Sequence, residues 1–388
     1  MKISILTPDL SNNCLGRSYL LAKVLQRRFD VEMLGPLFGK TIWEPVTNDN
    51  TIVYKTVKVG NGLKPYLQLA KLYKKIDGDV ILASKPLFTS LGIGLLKKVS
   101  ATRPLVLDID DWQMGFIRER AAQYSSYQRI RSLLVSLLLI YKMQSFWNNL
   151  IFEKLYSFAD EIIVSNTFLK NKFGGTVVWH GRDTNAFDPS RYDKTSIRHK
   201  YDIELDCKIV LFLGTPRKHK GIEDLIDAVR LLNDSSIVLM LVGINFDQPY
   251  ASHLLDVAQN KLGNNFKGYG AQQFNSIPEF LSMADVVVIP QKKNLATIGQ
   301  MPAKVFDAMA MAKPVIATEV SDLPEILDNC GYIVPPDNPE KLFKAIRFVL
   351  KNERKAGYIG KLAREKCVIK YSWDAMEAKL CSIFEQYE

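Results

Sequence analysis

Three places in this 388-residue chain combine residue types at spacings that could do chemistry. In "FLGTPRKHKGIEDL", Arg217, Lys218, His219 and Lys220 follow an apolar run ending at Gly214 and precede a helical stretch that begins near Gly221. Cations on a strand-to-helix loop suit a diphosphate, with guanidinium as a planar fork and ammonium as a point charge. A solvated basic turn is the plainer reading of the same loop. In "GQMPAKVFDAMAMAKPVIAT", Pro302 suits a first helical turn and Lys313-Pro314 ends the helix. Helical side chains lean toward the N-terminus, so Asp307 is predicted to point back at the loop Gly299–Pro302, where unpaired amides and the positive dipole end converge. A carboxylate beside free amides suits a ligand carrying both hydroxyls and phosphates, although Asp307 could simply complement the helix dipole.

The third place is "PLVLDIDDWQMGF". Asp108 and Asp110 form a D-x-D, a short and common pattern that can chelate a metal. Asp110 and Asp111 at a strand end could instead orient or polarise a hydroxyl, or pair with Arg118 or Arg120. A weaker signal lies in "PDLSNNCLGRSYLLAKVL", where Gly16 would let the backbone approach a ligand just before a helix able to accept phosphate. The run is not G-x-G-x-x-G, so the dinucleotide fingerprint of dehydrogenases is missing.

These residues must be held by strands and helices in alternation. "KISILT", "VILAS", "PLVLDI", "EIIVS" and "TVVWH" read as strands, and "KIVLFLG", "SIVLMLVG", "DVVVIP" and "PVIAT" as a second series. Apolar, β-branched runs separated by helices predict parallel sheets covered on both faces. The polar segment after Trp179 marks the boundary, giving domains over residues 1–190 and 191–371. The length suits two domains, and 47% hydrophobic with 24% charged residues suits a globular fold.

A formal charge of +10 and a pI near 9.1 point to an anionic partner. No DNA- or RNA-binding signature accompanies the charge, so nucleic acid is not expected. Five scattered cysteines without a C-x-x-C pair predict a reducing compartment and neither a disulfide framework nor a zinc site. "MKISILTPDL" reads as a strand rather than a signal peptide. One region departs from the alternation: Tyr124 to Phe158 is long, helical and apolar, with "LLVSLLLI" between Arg131 and Lys142. The apolar stretch is too short for a bilayer span, which takes about 20 residues. A core helix covering the sheet fits it. So does a helix in a membrane interface, with Arg129, Arg131, Lys142, Phe146, Trp147 and Phe152 of suitable type.

The motifs "LFLGTPRKHKGIEDLIDAVRLL", "MADVVVIP", "MPAKVFDAMAMAKPVIATEVSDLPEIL" and "GYIVPPDNPEKLFKAI", in this order, resemble glycosyltransferase family 4. The resemblance covers the second half strongly and the opening "MKISILTPDL" and closing "YSWDAMEAKLCSIFEQ" more loosely. It implies a retaining, nucleotide-sugar-dependent enzyme of the α/β GT-B fold, with two Rossmann-like domains facing an interdomain cleft and the terminal helix, residues 372–388, packing back on the first. It implies further that Lys220 contacts the donor diphosphate, with the amides around Gly299 and Met301 nearby, and that Asp307 holds the ribose hydroxyls. The sequence departs from the family at three points. Asp307 is a shortened glutamate, Gly299 falls where a first glutamate is common, and Thr215 replaces an arginine whose part Arg217 would take. Asp110 stands where many members carry a histidine, with Asp111 alongside. The expected donor is a nucleoside diphosphate sugar and no cofactor or metal is expected. A lipid-linked, glycolipid or polysaccharide acceptor and a cytoplasmic setting, peripheral on the inner membrane face, follow from the resemblance. A nucleotide-sugar epimerase on the same fold and a non-catalytic nucleotide-sugar-binding protein remain alternatives.

Overall fold

The computed structural model describes residues 1–60 and 64–388, the side chain of Lys64 excepted. Two compact units emerge. The first comprises Met1–His180, Gly299–Met301 and Met376–Glu388, the second Gly181–Ile298 and Pro302–Ala375.

The first unit holds strands β1 (Lys2–Leu6), β2 (Asp30–Leu37), β3 (Val53–Lys58), β4 (Val80–Ser84), β5 (Leu105–Ile109), β6 (Glu161–Val164) and β7 (Thr176–Val177), in the order β3-β2-β1-β4-β5-β6-β7. Every pairing is parallel. The central strands are sealed on both faces, as Ile3, Ile5, Leu82 and Leu107 show by having no exposed surface. That explains their near-continuous apolar sequences. The chain's end closes this unit: Arg27 pairs with Glu377 at 2.9 Å, and the rings of Phe29 and Phe384 lie 6.2 Å apart.

The second unit holds β8 (Lys208–Leu213), β9 (Ile237–Ile244), β10 (Phe266–Gly270), β11 (Val286–Ile289), β12 (Val315–Thr318) and β13 (Tyr332–Val334), in the order β10-β9-β8-β11-β12-β13. The pairs are again parallel. Its core joins Val210, Leu239, Leu241 and Val288 of the sheet to Leu225, Ile226 and Val229 of helix Ile222–Leu232 and to Ile346 of helix Pro339–Lys351. In both sheets the order reverses beside the opening strand, between β1 and β4 and between β8 and β11. Such a switch point leaves a crevice outside the carboxyl ends of the strands, where doubly wound sheets take ligands.

The sequence reading missed β2, β3, β10 and β13. β3 is an edge strand of polar alternation, "VYKTVK", and β10 is a glycine-broken edge, "FKGYG". Residues 181–190, assigned from sequence to the first domain, are anchored in the second unit. Arg182 pairs there with Asp307, and its N–H donates to the Tyr371 carbonyl at 2.8 Å. Phe187 is buried and stacks toward Phe274 at 5.8 Å.

Candidate functional sites

In the second unit, the loop after β8 is built by two glycines. Gly214 ends the strand with φ 139°, a value open only to glycine. Gly221 starts helix Ile222–Leu232 in the left-handed region at φ 66°, and a β-carbon there would lie 1.9 Å from the Pro290 carbonyl oxygen. The loops after β8 and β11 therefore meet backbone to backbone, and the Lys292 N–H donates to the His219 carbonyl at 3.0 Å. This contact sits at the switch point of the sheet. Between the glycines, Lys218–Lys220 form one tight turn. The side chains of Arg217 and Lys218 are exposed and have no ion-pair partner among the described residues, while His219 and Lys220 are half-buried. Below them Asp224 is half-buried, and burial raises its carboxyl above the usual range, against the pull of Lys292 at 3.8 Å. Positive charge thus collects on the loop, with Arg217 and Lys218 at its exposed edge.

Asp307 is placed differently from expectation. It lies on helix Lys304–Ala310, as the pattern predicts, but its side chain has no exposed surface. Oδ1 pairs with Arg182 Nε, and Lys304 Nζ lies 3.2 Å from Oδ2 without hydrogen-bond geometry. Burial alone would push this carboxyl up; Arg182 and Lys304 outweigh it and hold it below the usual range. An open carboxylate for ribose hydroxyls is not what the structure presents. Arg182 was missed because its partner lies far along the chain and no local pattern marks it.

The run in front of that helix is partly taken up by packing. Gly299 belongs with the first unit, where its carbonyl accepts from the Trp112 N–H at 3.1 Å. A β-carbon at Gly299 would meet Trp112 Cβ at 2.5 Å, so this glycine is required by packing and not merely a lost glutamate. Gln300 Nε2 donates to Asp111 Oδ1 at 3.1 Å, and the Met301 side chain is buried. Gly16 lies inside helix Leu15–Leu25, and the Trp43 ring covers its α-carbon, 3.4 Å from where a β-carbon would be. Its N–H is already taken by Asn13 at 3.2 Å. Gly16 therefore does not present its backbone in the way the sequence suggested.

In the first unit, the D-x-D carboxylates are divided between two cations. Asp108 is fully buried and is bound by Arg17, with Nη2 at 3.0 Å and Nε at 3.3 Å. Arg17 also donates to the carbonyls of Val178 and Trp179. Asp110 pairs with Lys85 Nζ, which also reaches Asp111 Oδ2 at 2.7 Å. Arg118 lies over the Trp112 ring, 5.5 Å from its centroid. Asp110 and Asp111 are thus brought together at the end of β5, as the sequence suggested, but around Lys85. Burial raises Asp110 to about 6, against Lys85 and with the help of the Asp111 and Asp108 charges.

Helix Ser126–Leu138 begins with a capping box, Ser125 Oγ accepting from the Gln128 N–H at 3.3 Å and Gln128 Oε1 from the Ser125 N–H at 2.9 Å. One side leans on helix Phe146–Lys154, where Ser145 Oγ donates to the Ser136 carbonyl at 2.7 Å. The rest is open: Tyr127 is 73% exposed, Leu134 66% and Leu138 76%, with Ile130 and Leu137 between them. The core-helix expectation fails for this segment. Phe152 is buried and Trp147 donates to the Leu133 carbonyl at 3.0 Å, so neither is part of the open face. Among the described residues no helix is long and apolar enough to cross a membrane.

Two doubly wound parallel sheets in one chain place the protein in the GT-B class of α/β folds. The structure of Anabaena HepE in complex with UDP-glucose superposes with a TM-score of 0.76 over 100% of both chains, at 19% identity. Residues 193–366, most of the second unit, match the family described as Glycosyl transferases group 1. An uncharacterized glycosyltransferase of Methanocaldococcus jannaschii is 27% identical over 216 residues, 54% of this chain and 53% of that relative. The putative colanic acid biosynthesis glycosyl transferase WcaI of Escherichia coli is 25% identical over 163 residues, 41% of this chain and 39% of that protein. The chain thus spans about half the length, or less, of these curated relatives.

Proposed function

We propose that the protein moves a sugar from a nucleoside diphosphate sugar to a hydroxyl acceptor, retaining the configuration of the anomeric carbon. The loop Arg217–Lys220 carries the reading. It puts four consecutive basic residues, Arg217 and Lys218 exposed among them, at the switch point of a sheet that lies within the glycosyl transferases group 1 match. Arg217 and Lys220 would neutralise the diphosphate as the sugar's C1–O bond breaks, the charge-stabilising role that a metal plays elsewhere. Transfer then needs no metal. The engagement of Asp108 by Arg17 and of Asp110 by Lys85 supports this, because a chelating pair is already occupied by protein cations. HepE, of the same fold, was crystallised with UDP and with UDP-glucose, which makes a uridine nucleotide the first donor to try. Thermal denaturation tests the donor half. At about a hundred times its Kd, a nucleoside diphosphate should stabilise the chain by about 2.7 kcal/mol, without added metal. No stabilisation by any nucleoside diphosphate would refute it.

The acceptor we propose is lipid-linked, glycolipid or polysaccharide in kind, reached at an anionic membrane surface. The open face of helix Ser126–Leu138 supports this, because Tyr127, Ile130, Leu134, Leu137 and Leu138 are flanked by exposed Arg129 and Arg131. An exposed apolar helix face with cations beside it suits a bilayer interface, each cation adding about 1 kcal/mol on anionic lipid. The net charge of +10 acts in the same direction. Flotation with vesicles containing anionic lipid should carry the protein, less so as salt rises. The changes Leu134→Ser, Leu138→Ser and Arg131→Gln together should release it without loss of fold, since all three side chains are exposed. A parent protein that ignores vesicles at every salt concentration would point to a soluble acceptor.

A further inference from the structure

No sequence feature marks Lys85, which reads in "VILASKPLF" as an ordinary cation after a strand. Its place in the fold is not ordinary. The side chain is buried at the end of β4, 2% exposed. The residue stands in the left-handed region, φ 66°, directly before Pro86. A side-chain-bearing residue stays there only where its surroundings over-determine it. Here they do. The Lys85 N–H donates to the Asp108 carbonyl at 2.7 Å, and its own carbonyl accepts from the Leu87 N–H at 2.9 Å and from Ser90 Oγ at 2.8 Å. So held, Nζ reaches both Asp110 and Asp111.

Among the described residues, the charged and titratable groups with the largest effect on Asp110 are Lys85, Asp111 and Asp108 with its partner Arg17; nearby is the Cys14 thiol, which burial pushes up to about 12 and so keeps neutral. Two carboxylates therefore share one ammonium. The Asp110 side chain is 10% exposed, where that of Asp108 has no exposed surface. Resting on the glycosyl-transfer reading above, we infer that Lys85 is a positioning residue that holds Asp110 ionised and oriented to accept a hydrogen bond from the acceptor hydroxyl. Remove the ammonium, and burial together with the Asp108 and Asp111 charges drives the Asp110 carboxyl well above about 6. Near neutral pH it would then be protonated, and would donate where it should accept.

The full-length protein, labelled with carbon-13 at aspartate carboxyls, allows a test that needs no substrate. Asp110→Asn assigns the resonance. The Asp110 midpoint is expected to rise by about one pH unit or more in Lys85→Met and to stay near the parent value in Lys85→Arg. In transfer assays the acidic limb of kcat/KM should move upward with it in Lys85→Met and return in Lys85→Arg. An unmoved midpoint in Lys85→Met overturns the proposal, as does a moved midpoint with an unmoved transfer profile. If Lys85→Met does not fold, a shifted midpoint in the folded Lys85→Arg protein overturns it too. A parent that transfers no sugar would instead count against the functional reading, and the carboxyl titration would still decide whether Lys85 governs Asp110.

Discussion

Replacing Arg182 with Leu is expected to destabilise the second unit by about 3–5 kcal/mol, the usual cost of leaving a buried carboxylate without its partner. Asp307 has no exposed surface, and its Oδ1 is held by Arg182. The same guanidinium donates to the carbonyls of Gly181 at 2.9 Å and Ala303 at 3.3 Å, which also lose a donor. Lys304 cannot take over, because it sits one turn away at the surface, 33% exposed, and lacks hydrogen-bond geometry to the carboxylate. Changing Asp307 to Leu as well should recover much of the loss, since removing both charges spares the desolvation of each. Denaturant unfolding measures this, and a single variant as stable as the parent would refute it. The pH dependence has a definite sign. The paired carboxyl is held below its ordinary value, so the pair's contribution is present above about pH 4 and fades as pH falls through the depressed value. In Arg182→Leu, burial would instead raise the carboxyl, so the gap between variant and parent should narrow on acidification.

Lys220→Met should behave in the opposite way, costing activity and sparing stability. Lys220 is only half-buried, on the turn that follows β8, and Met keeps the length of its side chain. If Lys220 meets the donor diphosphate as proposed, loss of this cation is expected to lower kcat by about 10²–10³-fold. The melting temperature should barely change. Near-normal turnover at saturating donor would mean that the diphosphate binds elsewhere. Both residues are cations of the same unit, Lys220 proposed to meet a ligand and Arg182 paired with a buried carboxylate.

Much of this was legible in the sequence where the signal is local. "KIVLFLG" and "PVIAT" could be read as β8 and β12 because buried parallel strands are apolar on both faces. The basic loop could be read because its cations are consecutive and bounded by Gly214 and Gly221, whose positive φ values the fold uses. Edge strands β3 and β10 escaped because an edge exposes part of its surface and admits polar residues and glycine. The roles of Asp307, Gly299 and Asp110 escaped for another reason. Each depends on a distant side chain, namely Arg182, Trp112 and Lys85, and no periodicity connects such pairs. The resemblance carried over the position of Asp307 but not its neutralisation by Arg182. Helix Ser126–Leu138 could be read as a helix, yet burial is a property of its neighbours, and its apolar face is left uncovered.

The most direct test of the account is to follow the chain with a nucleotide sugar by proton NMR, in the presence of chelator, with a saccharide or glycolipid acceptor in anionic vesicles. The anomeric coupling of the new glycoside is the quantity to read. Nucleoside diphosphate release that depends on Lys220 is expected, with a product of the donor's own anomeric configuration. A product of inverted configuration, an epimerised donor formed without acceptor, or no release of nucleoside diphosphate from any nucleotide sugar would contradict it.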